Sequence, residues 1–120
     1  MRMFVVLGSF NMLLAVALGA FGAHGLKSRV SAEMLAVWQT AVLYHLVHAL
    51  GLLLVGLLAL HLPVRAAGWT LLVGIVLFSG SLYLMVLTGI RPLGMITPLG
   101  GVAFLAGWLL LALAALKLNG

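Results

Sequence analysis

The chain has 120 residues, of which 66% are hydrophobic and only 6% are charged, and its mean hydropathy is +1.37. About a quarter of the residues in a soluble domain are usually charged, so this composition excludes an ordinary soluble domain and indicates that lipid surrounds most of the chain. The formal charge of +5 comes from six basic residues, which lie at the ends of apolar runs, against the single acid Glu33. Nucleic-acid binding requires clustered basic residues, so we expect membrane lipids as partners and no nucleic acid.

The first predicted transmembrane helix covers residues 3–23 and follows Arg2. A secretory signal peptide is the alternative interpretation, but the apolar core of a signal peptide usually has only about 7–15 residues, so we predict a membrane span. Small residues at helical spacing let a neighbouring helix approach closely, and such residues recur on one face of this span. That face carries Gly8, Asn11, Ala15, Gly19 and Gly22.

The second predicted span covers residues 34–62 and contains the apolar run of residues 38–62. Its helix is predicted to begin near Ala32, with Ser31 as the N-cap. It is predicted to end near Leu62, because Pro63 cannot continue a helix. This length is sufficient to cross the hydrocarbon core of a bilayer.

Three polar rings lie deep inside the second span. At about 100° per residue, Tyr44, His45 and His48 fall within one third of the helix circumference. Polar side chains in hydrocarbon are costly unless they face protein or water. We therefore predict that all three rings face inwards and are covered by the other helices.

The third span is predicted over residues 66–88 and ends at Gly89, and the fourth is predicted over residues 98–118. Thr97 and Pro98 are predicted to be the N-cap and first residue of the fourth helix. Short connections make neighbouring helices antiparallel. We therefore predict one domain, residues 1–120, with an all-α fold: an integral-membrane antiparallel bundle of four transmembrane helices. The basic residues divide three and three between the two sides, so the positive-inside rule does not decide the orientation.

Polar side chains from all four spans are predicted to lie at similar depths in the membrane. Asn11, His48, Ser79 and Trp108 fall near the midplane, one from each span, whereas the other polar side chains lie mainly towards the first and third loops. A polar pocket open to that side is one hypothesis, and interhelical hydrogen bonds without a pocket are the alternative. In the alternative, a histidine bonds to Tyr83, Ser79 or Asn11, and the indole N–H of Trp108 finds Asn11 or Ser79. The candidate ligand-binding residues are Asn11, Tyr44, His45, His48, Ser79, Ser81, Tyr83 and Trp108.

Metal, haem and catalytic chemistry have little support in the sequence. His45 and His48 are neighbours on one helix, whereas zinc usually takes three or four protein ligands and bis-histidine haem needs imidazoles that face each other. The single carboxylate side chain, Glu33, lies at a predicted helix start. No acid is therefore placed to orient a buried base. We expect no catalytic residues, no metal and no cofactor.

Four segments together carry a family resemblance. They are residues 19–26 (GAFGAHGL), 38–53 (WQTAVLYHLVHALGLL), 77–89 (LFSGSLYLMVLTG) and 94–108 (GMITPLGGVAFLAGW). They resemble the domain-of-unknown-function-423 family of small bacterial membrane proteins, which is related to the transmembrane-protein-256 group. The resemblance implies a multi-pass protein of the bacterial inner (plasma) membrane, and it supplies no catalytic residues.

Two classes of function follow from these observations. The first is a non-enzymatic structural or accessory membrane protein, which contacts a second copy or a partner membrane protein through the small-residue faces of the first and fourth spans. The second is a binding or permeation protein that takes a small or lipid-like molecule into the polar pocket. Four helices hardly enclose an aqueous pore, so permeation requires a homo-oligomer.

Overall fold

The structure, a computed structural model, describes residues 2–117. Four stretches within that range are long and apolar enough to cross a membrane. We name them the first to fourth spans: Arg2–Leu26, Ala32–Leu58, Arg65–Thr88 and Arg91–Leu116. The elements are α1 (Arg2–Phe21), a π-helical turn (Gly22–Leu26), α2 (Ala32–Leu58), α3 (Arg65–Ile75), a π-helical segment (Val76–Gly80), α4 (Ser81–Thr88), a 3-10 turn (Arg91–Met95) and α5 (Thr97–Leu116). The predicted all-α membrane fold is confirmed.

The start of α2 follows its predicted chemistry, whereas its end does not. The Ser31 hydroxyl accepts a hydrogen bond from the backbone N–H of Met34 at 3.1 Å, which caps the helix as predicted. The helix ends at Leu58, so the prediction of an end near Leu62 is wrong by one turn. The chain must reverse before Pro63, and a tight turn over residues 59–62 achieves this because the N–H groups of residues 61 and 62 both donate to the Leu58 carbonyl.

The end of the third span and the start of the fourth test two further predictions. Gly89 adopts the left-handed conformation, with φ of 73°, and its N–H donates to the Met85 carbonyl, so the predicted C-terminal glycine is confirmed. Thr97 is the first residue of α5 and makes no N-cap hydrogen bond, so its predicted role as N-cap is wrong. Its hydroxyl instead lies 2.7 Å from the Ser81 hydroxyl of α4. The α5 helix ends at Leu116, and residue 118 of the predicted span lies outside the described residues.

Glycines permit the closest helix crossings. α1 packs along α2, and a Cβ atom at Gly8 would come within 2.8 Å of the backbone nitrogen of Leu53. α5 packs on α3 and on the π-helical segment, where a Cβ at Gly100 would overlap the backbone of Phe78. The small residues at these positions are therefore used for packing within the chain, as is usual where membrane helices meet.

In the part of the chain that the structure describes, two of the three buried apolar clusters flank the polar rings of α2. The larger cluster includes Leu52, Val55, Val64 and Leu71, which are at most 1% exposed, and it lies towards the start of α1 and the end of α5. The smaller one surrounds Trp38 near the first loop, where the indole N–H donates to the Leu18 carbonyl at 2.8 Å. The polar rings of α2 lie between these two clusters.

One ion pair joins the start of α2 to the third loop. Arg91 Nη1 lies 3.0 Å from Glu33 Oε1, and both side chains are about two-thirds exposed. The contact places the first and third loops at the same end of the bundle, as four antiparallel spans require.

We expect Glu33→Gln to lower the free energy of unfolding by less than about 1 kcal/mol, because exposed ion pairs are weak and screened by salt. Thermal unfolding in detergent at low and high salt measures this effect, with Lys27→Gln as a control for loss of one charge at the same end. A loss above 2 kcal/mol, or one that salt leaves unchanged, would contradict the expectation.

Candidate functional site

The inward orientation predicted for the rings of α2 is confirmed for the two histidines and wrong for Tyr44. His45 and His48 are 4% and 5% exposed, whereas Tyr44 is 40% exposed. The three rings share one arc of the helix, but the neighbouring helices cover only part of that arc. Tyr44 stands at the edge of the covered part and faces the gap between α2 and α5.

His45 joins three helices through a chain of hydrogen bonds. The Asn11 amide Nδ2 donates to the Leu7 carbonyl at 2.8 Å, which leaves Asn11 Oδ1 as an acceptor. His45 Nε2 lies 3.0 Å from that oxygen and therefore carries the proton. His45 Nδ1 then accepts from the Tyr83 hydroxyl at 2.9 Å. We call Asn11, His45 and Tyr83 the histidine-45 network, and it connects α1, α2 and α4.

His48 connects α2 to α5 in a different way. Its Nδ1–H donates to the Tyr44 carbonyl at 2.7 Å, so Nε2 is unprotonated and accepts from the Trp108 indole N–H at 3.0 Å. The imidazole also stacks on the Phe104 ring, with the centroids 3.5 Å apart and the planes 11° from parallel. The acceptor of Trp108 is therefore His48 and not the predicted Asn11 or Ser79.

The two serines of the candidate set bind the third span to its neighbours. Ser79, which is fully buried, donates to the Ala41 carbonyl of α2 at 2.8 Å. Ser81 donates to the Phe78 carbonyl at 2.9 Å and accepts from the Thr97 hydroxyl of α5. Both hydroxyls are thus engaged in holding helices together.

The eight candidate residues do not meet in one pocket. Within residues 2–117, every buried side-chain nitrogen and oxygen has a hydrogen-bond partner. Five of the eight belong to interhelical hydrogen bonds and do not line the cavity between α2 and α5, as in the alternative hypothesis: Asn11, His45, Ser79, Ser81 and Tyr83. Tyr44, His48 and Trp108 are the three that line that cavity.

The cavity is a groove of about 570 Å³ between α2 and α5, which we call the lateral groove. Its rim is open to the side of the bundle, since Val102 and Leu105 are 63% and 74% exposed. A volume of this size falls in the range of small-molecule sites. Its lining residues are Tyr44, Val47, His48, Phe78, Pro98, Gly101, Val102, Phe104, Leu105 and Trp108.

Aromatic rings form the walls of the lateral groove. The Tyr44 ring lies 4.4 Å from the Phe78 ring and 6.3 Å from the Phe104 ring, between centroids. A Cβ at Gly101 would have nothing within 4 Å, so this glycine leaves space open in the groove. Sequence reasoning missed Phe78, Phe104 and Gly101. The available signal was the spacing of Phe104 and Trp108, four residues apart on one helix face.

The buried imidazoles are not arranged to bind a metal. All four ring nitrogens of His45 and His48 have protein partners. Among residues 2–117, no three histidine, aspartate or glutamate side chains are grouped closely enough to hold an ion. The chemistry available in the lateral groove is therefore apolar contact, aromatic contact and hydrogen bonding by the Tyr44 hydroxyl.

Comparisons with known proteins agree on one family. The family described as "Protein of unknown function (DUF423)" matches residues 18–101. The UPF0382 membrane protein YwdK of Bacillus subtilis is 54% identical over 98% of this chain and 98% of its own length. A UPF0382 membrane protein of Staphylococcus epidermidis is 49% identical over the full length of both chains. No solved structure matches.

Proposed function

This chain belongs to the DUF423 family of membrane proteins, and on that premise we propose that it is a non-enzymatic protein that binds one lipid-like molecule in the lateral groove. The membrane is the bacterial inner (plasma) membrane, a proposal supported by the four apolar helices, because proteins of the bacterial outer membrane typically span it as β-barrels. The observation that carries the proposal is the groove itself, which is open to the bilayer and walled by aromatic rings.

The Tyr44 hydroxyl points to the kind of molecule that fits. Tyr44 lies one residue before the midpoint of α2, deep in the bilayer, and its hydroxyl makes no hydrogen bond to the described part of the chain. An unpaired hydroxyl in hydrocarbon costs free energy. An occupant with an oxygen or nitrogen at that depth removes this cost, so we propose an amphiphile and not a pure hydrocarbon.

The dimensions of the groove agree with a molecule that enters from the bilayer. Along α5 the lining runs from Pro98 to Trp108, which is about 15 Å at 1.5 Å per residue. That is about half of the hydrocarbon thickness of a bilayer. Trp108, the lining residue of α5 that is farthest from Pro98, donates a hydrogen bond to His48 at the deep end. A chain-like molecule whose polar group sits below the membrane surface matches this arrangement.

Two other functions have less support. A water-filled permeation path needs polar groups free to contact water, whereas the buried polar atoms of residues 2–117 are bonded to protein. Association through the small-residue faces needs those faces to be free, but Gly8, Gly100 and Gly107 already contact Leu53, Phe78 and Leu71 of their own chain. The absence of enzymatic activity is supported by the single acid, Glu33, which lies at the surface in an ion pair.

Filling the lateral groove tests the proposal. We expect native mass spectrometry of the full chain from mild detergent to show at least one additional lipid-like mass per wild-type chain. Gly101→Leu places a side chain in open space and should lower the bound fraction in the groove by about fivefold or more, since overpacking costs about 1–3 kcal/mol. Ala112→Leu is the matched control, because Ala112 is exposed on the same helix outside the groove.

Three results would overturn the proposal. The first is a wild-type protein without any additional mass. The second is an additional mass that equals a second copy of the chain and is lost in Gly101→Leu, which would make the groove a surface for self-association. The third is a Gly101→Leu protein that carries as many lipid-like molecules as the wild type, which would place the binding site elsewhere.

A further inference from the structure

A second cavity of about 450 Å³ lies at the end of the bundle where α1 begins and α5 ends, between the start of α3 and the end of α5. We call it the terminal pocket. Its walls are mostly apolar and include Pro63, Ala66, Leu110 and Leu113, and Lys117 lines it as well. It shares no lining residue with the lateral groove.

The terminal pocket lies where a span meets the membrane surface. It is lined by residues from the first turn of α3 and the last two turns of α5. Leu113 and Leu116 are 45% and 79% exposed, so the pocket is open towards the bilayer. Head groups and the first part of the acyl chains occupy this depth of a bilayer. The pocket therefore contacts both regions of a lipid.

The charges at this end of the bundle have one sign. Lys117 lines the terminal pocket. Arg65 is exposed, and in the sequence it lies between Pro63 and Ala66, which both line the pocket. Arg2 begins α1 at the same end, where the neighbouring Phe4 packs on Trp69 of α3. The single acidic side chain of the whole sequence, Glu33, is at the opposite end and is paired there. No acidic side chain therefore neutralises these three cations.

Apolar walls beside a cation that no acidic side chain of the sequence can pair with fit an anionic amphiphile. A free inorganic anion gains nothing from the apolar walls, and a lipid without net charge gains little from the lysine. A second copy of the chain would bring the same three cations to this face and would be repelled. We propose that the terminal pocket binds one anionic phospholipid, with its phosphate at Lys117 and the upper part of an acyl chain against α3 and α5.

Lipid titration of the purified full chain tests this site. Phosphatidylglycerol and phosphatidylcholine serve as probes, and native mass spectrometry measures the bound fraction of each. We expect the wild type to prefer phosphatidylglycerol by at least about fivefold, since a basic residue near the membrane surface is worth about that factor. Lys117→Gln should lower phosphatidylglycerol binding by about fivefold and leave phosphatidylcholine binding unchanged. Lys27→Gln, which removes one charge at the other end, should change neither.

A second pair of variants tests the pocket without a change of charge. Ala66 is exposed and lines the terminal pocket, so Ala66→Trp fills it from the surface, whereas Ala112→Trp adds the same ring elsewhere on the bilayer-facing side of α5. We expect Ala66→Trp alone to lower phosphatidylglycerol binding, and inorganic phosphate not to compete. Four results would each overturn the proposal. The first two are equal binding of the two lipids and an effect of Lys117→Gln no larger than that of Lys27→Gln. The other two are unchanged phosphatidylglycerol binding in Ala66→Trp and competition by inorganic phosphate. Gly101→Leu should have no effect here.

Discussion

Gly100→Ala should lower the free energy of unfolding of the bundle by about 1–3 kcal/mol, whereas Gly101→Ala should leave it unchanged or raise it by up to about 1 kcal/mol. A Cβ at Gly100 would overlap the backbone nitrogen of Phe78 and lie 2.7 Å from its Cα, so α5 must move away from the third span. A backbone contact cannot be relieved by a side-chain rotation. A Cβ at Gly101 meets nothing within 4 Å, so there the alanine brings only its better helix propensity.

The two alanine variants are matched controls for each other. They lie next to each other in α5 and make the same chemical change, so any difference between them reports the crossing with the third span. Unfolding titrations in mixed micelles give both free energies. Because movement of α5 also strains the Trp108–His48 hydrogen bond, tryptophan emission should change in Gly100→Ala and not in Gly101→Ala. Equal stability of the two variants would mean that α5 does not approach the third span at Gly100.

His45→Leu should lower the free energy of unfolding by about 2 kcal/mol. The substitution removes the centre of the histidine-45 network and leaves Asn11 Oδ1 and the Tyr83 hydroxyl without partners in a water-poor interior. An unpaired buried polar group costs about 1–3 kcal/mol, whereas a single interhelical hydrogen bond in a membrane averages about 0.6 kcal/mol. The loss should therefore exceed that of Tyr83→Phe, which leaves only His45 Nδ1 without its donor. Tyr44→Phe is the matched control, because its hydroxyl lies outside the network.

Combining the substitutions separates hydrogen bonding from packing. In the triple variant Asn11→Leu, His45→Leu and Tyr83→Phe, no member of the network keeps an unpaired polar atom. We expect its stability to exceed the value obtained by adding the three single effects, since removing both partners of a buried hydrogen bond costs less than removing one. Additive effects would show that the three side chains act independently in the membrane.

Local sequence patterns predicted the elements well where the chemistry is local. The apolar runs predicted four spans, Ser31 predicted the start of α2, and Gly89 predicted the end of the third span. The end of α2 was mispredicted because it depends on tertiary packing. Val64 is 1% exposed in the main apolar cluster, and bringing it there requires the chain to leave the helix one turn earlier than Pro63 demands.

The candidate site was predicted only in part for a related reason. Estimated depth correctly indicated Asn11 and Tyr83 as partners of a histidine, because depth follows from position along a span. Depth does not state on which side of a helix each neighbour lies. The sequence therefore could not show that His45 meets α1 and α4 while His48 meets α5. Nor could the sequence show that Phe78 and Phe104 form the walls of a groove. Those contacts depend on how each of three helices is rotated about its own axis.

The π-helical segment Val76–Gly80 rotates the side chains of α4 about the helix axis relative to those of α3, within the third span. A π-turn accommodates one residue more than an α-turn, so the direction of every side chain in α4 is offset by about 100° from that in an unbroken α-helix. With one residue fewer, Tyr83 would point away from His45 while α3 kept its contact with α5. The extra residue of this one π-turn therefore sets the side-chain directions of α4 independently of those of α3, although both belong to the same span.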